Sequence, residues 1–178
     1  MRILYRIRQF WRAFSAQTSP LELERALGRL NPEQRELFTQ LQPAEKSHAL
    51  AMFHRLLEQG ENQPDLLVAA LLHDIGKLHY RLNPMQRAMV VLVKAINPTQ
   101  SRRWGSIPPN GWDRLPGWRK AFIVAEHHAG WGAAMARKSG VSPLTENLIR
   151  EHHYPHRHEA SAVENSLLRK LWVVDNES

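Results

Sequence analysis

Residues 64–72, PDLLVAALL, form the most apolar run of the chain, and they lead directly into His73-Asp74-Ile75-Gly76-Lys77. A helix this apolar is buried on most sides and should be the central one. Its end then carries an imidazole, a carboxylate and an ammonium into surroundings where charge is costly without a partner. The natural partner for an adjacent His and Asp in that position is a cation. The alternative is a chance dipeptide, with Asp74 a simple helix-end carboxylate.

Candidate ligands recur along the sequence. His48 lies on the preceding expected helix, His127-His128 and His152-His153 follow, and Asp175 comes after the apolar stretch Leu171-Trp172-Val173-Val174. Any metal here must use imidazole and carboxylate, because the chain has no cysteine and so no thiolate site or disulfide. Such ligands suit Mn, Fe, Zn, Ni or Mg as the divalent ion, and the ligand types do not choose among them. Neighbouring residues on a helix point about 100° apart, so His73 and Asp74 share a cation only at a helix end. Lys77, three residues beyond Asp74, lies near the same face and can offer its ammonium to an anion; it can equally be a helix-end charge complementing the dipole.

The 178 residues suffice for one domain with a sizeable core. The expected division is a basic amphipathic helix over residues 1–17 and a helical domain over 18–178. Residues 1–16 contain no acid, and Ile3, Leu4, Ile7, Phe10, Trp11 and Phe14 alternate with Arg2, Arg6, Arg8 and Arg12. Such a helix either lies in a membrane interface or packs its apolar face onto the domain; it is too short and too basic to span a bilayer. The net charge of +7 favours anionic partners, and no nucleic-acid motif stands out. The lack of cysteine is compatible with a cytoplasmic location, peripheral to the membrane if residues 1–16 bind there.

Caps announce the helices. Ser19-Pro20-Leu21-Glu22 and Asn31-Pro32-Glu33-Gln34 each read as a cap, a first-turn proline and a capping-box partner. A helix over 43–59 should stop at Gly60, the central one should run over about 64–78, and Asn83-Pro84 should open another in spite of the strand-like run at 89–93. Residues 97–117 read as a long loop, a candidate substrate lid with Arg102, Arg103, Trp104 and Trp112, or else a surface excursion anchored by its tryptophans. Helices are expected again over 118–128, 132–138, 143–153 and 160–175. The fold class is all-α, a single helical bundle with the candidate ligands at one end.

The ligand order, H, HD, H, HH, D, resembles the HD superfamily of metal-dependent phosphohydrolases, over roughly residues 46–176. The resemblance implies one or two divalent ions, with His48, His73 and Asp175 holding the first and Asp74 bridging to a second. For the second ion it points to His128, from the His128-Ala129-Gly130-Trp131-Gly132 turn, and to one or both of His152 and His153. His54, His79, His156 and His158 are expected to take no part. The implied chemistry is attack of a cation-activated water on a phosphoester or phosphoanhydride of a small phosphorylated, nucleotide-like substrate. Asp74 would accept the proton, and Lys77, completing an HD-x-G-K pattern, would meet a phosphate oxygen. His152-His153-Tyr154-Pro155 departs from the cyclic-dinucleotide HD-GYP branch. The order is also similar to that of HD-fold di-iron oxygenases; the further alternative is a non-catalytic HD-fold ligand-binding or signalling protein, which missing ligand residues would favour, whereas here the full order is present.

Overall fold

The computed structural model describes residues 20–158 and 160–177. The expected amphipathic helix over 1–16 and the cap at Ser19 lie outside them. Nine α-helices and one 3₁₀ turn are present among the described residues, with no strand. We number them α1 (Pro20–Leu27), α2 (Pro32–Gln40), α3 (Pro43–Glu58), α4 (Pro64–Leu72), α5 (Pro84–Ile96), α6 (Pro98–Gly105), α7 (Gly117–Lys138), α8 (Pro143–Glu151) and α9 (Ala162–Glu177), with the 3₁₀ turn Ile75–His79 between α4 and α5. The chain is all-α, and none of the described helices is long and apolar enough to cross a membrane.

The caps act as the sequence indicates. Asn31 and Asn83 each accept from the backbone N–H of the glutamine three residues on, and that glutamine returns a bond to the cap N–H. Ser142 accepts from Thr145 N at the start of α8. Gly60, at φ +80°, takes the left-handed position that follows α3.

Three elements differ from expectation. The long loop over 97–117 is shortened by α6, whose cap Asn97 accepts from Gln100 N, so that only residues 106–116 connect α6 to α7. Trp104 and Trp112 are half-buried against Phe122 and Trp131 respectively, which makes them anchors. The two helices expected over 118–128 and 132–138 are one helix of 22 residues. Gly132 sits inside it because the 3₁₀ turn passes so close that a Cβ there would lie 3.2 Å from Gly76 N. The central helix ends at Leu72, not near residue 78, and the chain turns at His73 and Asp74 into the 3₁₀ segment.

Two apolar clusters follow. The larger joins α1 to α4 with Ala133 and Ala136 of α7, Leu148 and Ile149 of α8, and Leu167, Leu168, Leu171 and Val174 of α9. The smaller joins Val90 of α5 and Trp104 of α6 to Ala121, Phe122 and Val124 at the other end of α7. The middle of α7, with His128, thus lies where the two clusters meet.

Asp65, in the first turn of α4, ties that helix to the start of α8. It accepts from the Ser142 hydroxyl, from Thr145 Oγ1 at 2.8 Å and from Gln63 Nε2 at 2.9 Å. Burial opposes its ionisation, but these donors outweigh burial and lower its pKa. A lowered carboxyl pKa adds stability that is complete above the unfolded value and is lost as pH falls through the folded one. Asp65→Ala should therefore destabilise the metal-free protein by about 1.5 kcal/mol at pH 7, the low end for hydrogen bonds to a charged group, since this one is only half-buried. In urea unfolding series, the gap between wild type and variant should narrow below about pH 4. A constant gap down to pH 2 would assign the effect to packing.

Candidate metal centre

The site is built from helix ends. His73 is the residue that closes α4 and Asp74 the one that opens the 3₁₀ turn, while His152 closes α8 and His153 follows it. His128 comes from the middle of α7, His48 from the first half of α3, and Asp175 from the last turn of α9. His73, Asp74, His128 and His152 are buried.

The structure brings together all seven residues that the sequence singled out as ligands. Donor atoms of His48, His73 and Asp74 lie within 4.8 Å of one another, as do those of His128, His152 and His153. The imidazoles form a continuous array, with ring centroids 5.3 Å apart for His48 and His73, 5.0 Å for His73 and His152, and 5.3 Å for His128 and His152. Asp175 bonds His48 Nε2 at 2.9 Å and lies 3.8 Å from His73 Nε2. Asp74 stands between the two groups. Its Oδ1 is 3.4 Å from His128 Nε2, and its Oδ2 is 3.5 Å from His73 Nε2 and 2.6 Å from Lys77 Nζ.

Of the adjacent pair on α7, His128 faces inward. His127 reaches Gly105 O at 3.1 Å and stacks on Trp131. Both His152 and His153 enter the second group. His79 packs on Trp131, and His156 and His158 contact one another; none of the three belongs to either group. Arg102 and Arg103 are exposed on α6.

Three backbone carbonyls fix the imidazole tautomers. His73 Nδ1 donates to Ala70 O at 2.9 Å, His128 Nδ1 to Val124 O at 2.9 Å and His152 Nδ1 to Ile149 O at 2.7 Å. A carbonyl can only accept, so in each neutral ring the other nitrogen, Nε2, is a bare lone pair. Burial favours the neutral ring at His73 and His152. It lowers the His73 pKa against the pull of Asp74 and Asp175, and it lowers that of His152 far more, aided by His153, His73 and His128. His153 is pushed down to about 3 by burial, His128 and Lys94.

The carboxylates are ionised. Burial opposes the charge on Asp74, yet the Lys77 ammonium, bonded to it at 2.6 Å, holds its pKa well below the usual range; Asp175 is held low against burial by the hydrogen bond from His48. The lone pair of His73 therefore faces carboxylate oxygens of Asp74 and Asp175 with no proton between them, an arrangement of acceptors against acceptors, and His128 Nε2 lies 3.4 Å from Asp74 Oδ1. His128 Nε2 and His153 Nε2 are buried without a hydrogen-bond partner, which is costly unless something else binds them. A divalent cation meets both needs, since it takes imidazole lone pairs and carboxylate oxygens as ligands. The residues fit such an ion in both groups.

One nearby cation escaped the sequence reading. Lys94, in the last turn of α5, acts electrostatically on His153. No spacing in the sequence links residue 94 to residue 153, and only the packing of the helices brings them near each other. No family model, curated protein or solved structure matches the chain.

Proposed function

We propose that the protein is a divalent-metal-dependent phosphohydrolase that cleaves a phosphoester or phosphoanhydride, with a nucleotide-like compound as substrate. The observation that carries the reading is the convergence of Nε2 of His73 and of His128 on the ionised, buried Asp74, with Lys77 bonded to the same carboxylate. The ligand order, similar to that of the HD superfamily, supports the choice of hydrolysis. His48, His73, Asp74 and Asp175 would hold one ion, and His128, His152 and His153 a second, with Asp74 reaching both. A bound divalent cation supplies Lewis-acid charge for a phosphoryl group and makes a water molecule more acidic.

The chain's own groups then divide the work. Asp74 accepts the hydrogen bond of the attacking water and, as its oxygen bonds to phosphorus and the leaving oxygen departs, takes up the proton. The proton then passes to the leaving oxygen, which departs as a hydroxyl. Lys77, partly exposed beside Asp74, donates to a phosphoryl oxygen as negative charge builds there. An ammonium has no lone pair and holds no metal itself.

The test is metal analysis together with turnover over a panel of nucleotides. Mn-dependent phosphate release is the expected result; oxygen consumption with bound iron would overturn the reading in favour of an oxygenase, and metal binding without turnover on any phosphate ester would favour a sensor. With Mn in excess, so that the site stays filled, Lys77→Ala should keep a melting temperature close to wild type while lowering hydrolysis by about 10²-fold, the scale of a single oxyanion donor. Lys77→Arg should recover part of that loss. If Lys77→Ala turns over the substrate at the wild-type rate, Lys77 is only a charge partner of Asp74.

A further inference from the structure

From Ile75 to Trp112 the chain has no acidic residue. This stretch contains α5 and α6, which pack on each other and on the N-terminal half of α7 over the smaller apolar cluster. Val90 points α5 into that cluster, yet the helix also carries apolar side chains on its outer face: Met85 is 82% exposed, Leu92 49% and Ile96 70%. Positions 85, 92 and 96 are spaced seven and four apart, so they form one stripe along the helix. Val91, and Ile107 just beyond α6, add exposed apolar area. Isolated exposed apolar residues are ordinary, whereas a continuous stripe on one helix marks a contact surface.

The charges of the lobe select the partner. Arg87 is committed to Glu45 of α3, and Lys94 lies on the opposite side of α5 from the stripe, towards His153, which leaves Arg102 and Arg103 of the packed helix α6 as the exposed cations of the lobe. A second copy of this face would bring the same positive groups against them. Residues 1–16 of the chain would do the same, with Arg2, Arg6, Arg8 and Arg12 and no acid. A bilayer rich in anionic lipid offers what neither does: an apolar layer for Met85, Leu92 and Ile96, and phosphates for the cations at its surface.

We propose that the α5–α6 lobe docks on anionic membranes, with the Met85, Leu92 and Ile96 stripe entering the interface and Arg102 and Arg103 contacting lipid phosphates. The surface is independent of the chemistry proposed for the metal centre. It also differs from the N-terminal segment, so each can be removed by itself.

Sedimentation of the full chain with vesicles tests this. Wild type should bind vesicles of mixed phosphatidylglycerol and phosphatidylcholine, release them at high salt and ignore pure phosphatidylcholine. Leu92→Asp/Ile96→Asp and Arg102→Ala/Arg103→Ala should each weaken binding by about tenfold or more, since a basic residue near such a surface contributes about 1 kcal/mol. All four side chains are exposed, and unchanged circular dichroism checks the fold; the arginine variant, which adds no charge to α5, stands if the other fails that check. Binding that survives both double substitutions overturns the proposal and leaves residues 1–16 as the membrane contact. Failure of wild type to bind either vesicle, with a dimer in analytical ultracentrifugation that Leu92→Asp/Ile96→Asp dissolves, overturns it in favour of a second copy.

Discussion

Gly76→Ala should cost the protein about 3 kcal/mol or more and lower its melting temperature by roughly 6–12 °C. A Cβ on Gly76 would lie 1.9 Å from His128 O and 2.7 Å from Gly132 N, and both are backbone atoms that cannot swing aside. The 3₁₀ turn would have to lift off α7. Asp74 and Lys77 belong to that turn and its first residue, and His128 is on the helix beneath, so the displacement would pull apart the two sides of the metal centre. Metal content should fall along with stability. Gly130→Ala supplies the contrast: nothing lies within 4 Å of its added Cβ, and an alanine inside a helix should stabilise by about 0.5–1 kcal/mol. Equal melting temperatures for the two variants would show that the close approach of turn and helix carries no energetic weight.

The same glycines explain where the sequence could be read and where it could not. Gly60 ends a helix and Gly132 does not, although each follows a periodic apolar segment. Gly60 has the positive φ that a helix end uses, whereas Gly132 is required by the backbone packed against it, and that backbone belongs to residues 56 positions away. A long-range demand for a missing Cβ leaves no mark in the local pattern. The helix at 98–105 was missed for a different reason. Its body, TQSRRW, has no apolar period, but Asn97-Pro98 repeats the signal of Asn31-Pro32 and Asn83-Pro84, and the Asn97 side chain caps in the same way. The start signal was legible there, and the absence of a period outweighed it.

At the candidate site the residue types could be read from the ligand order and its resemblance to that of the HD superfamily. The choice of His128 over His127 rests on the His128-Ala129-Gly130-Trp131-Gly132 turn alone, and no local period decides it. Both are one step from the same helical face, and the decision is made by Gly105 O and Trp131, which hold His127 outside, and by His152 and His153, which receive His128. At residues 152 and 153 no choice was needed, because the chain leaves α8 there and both rings turn inward. Lys94 lies beyond the reach of such reasoning, since only the fold brings α5 to His153.

Asp74→Asn should abolish metal binding at both groups while leaving the fold in place. The substitution keeps the shape of the side chain and an oxygen for the bond from Lys77, but removes the one charge that faces His73 and His128 together. Loss of an outer hydrogen-bond partner of a metal ligand already costs about 10–100-fold in affinity, so loss of the shared carboxylate should cost at least 100-fold. Elemental analysis after dialysis should find the variant empty where wild type retains metal, and phosphate release should fall to background. His48→Ala gives the control, because it touches only the group that contains His73 and Asp175. If two ions are bound, that variant should keep the ion of His128, His152 and His153 and show half the wild-type stoichiometry. A variant Asp74→Asn with full metal and full activity would remove Asp74 from the centre of the site and leave the two histidine groups as separate clusters.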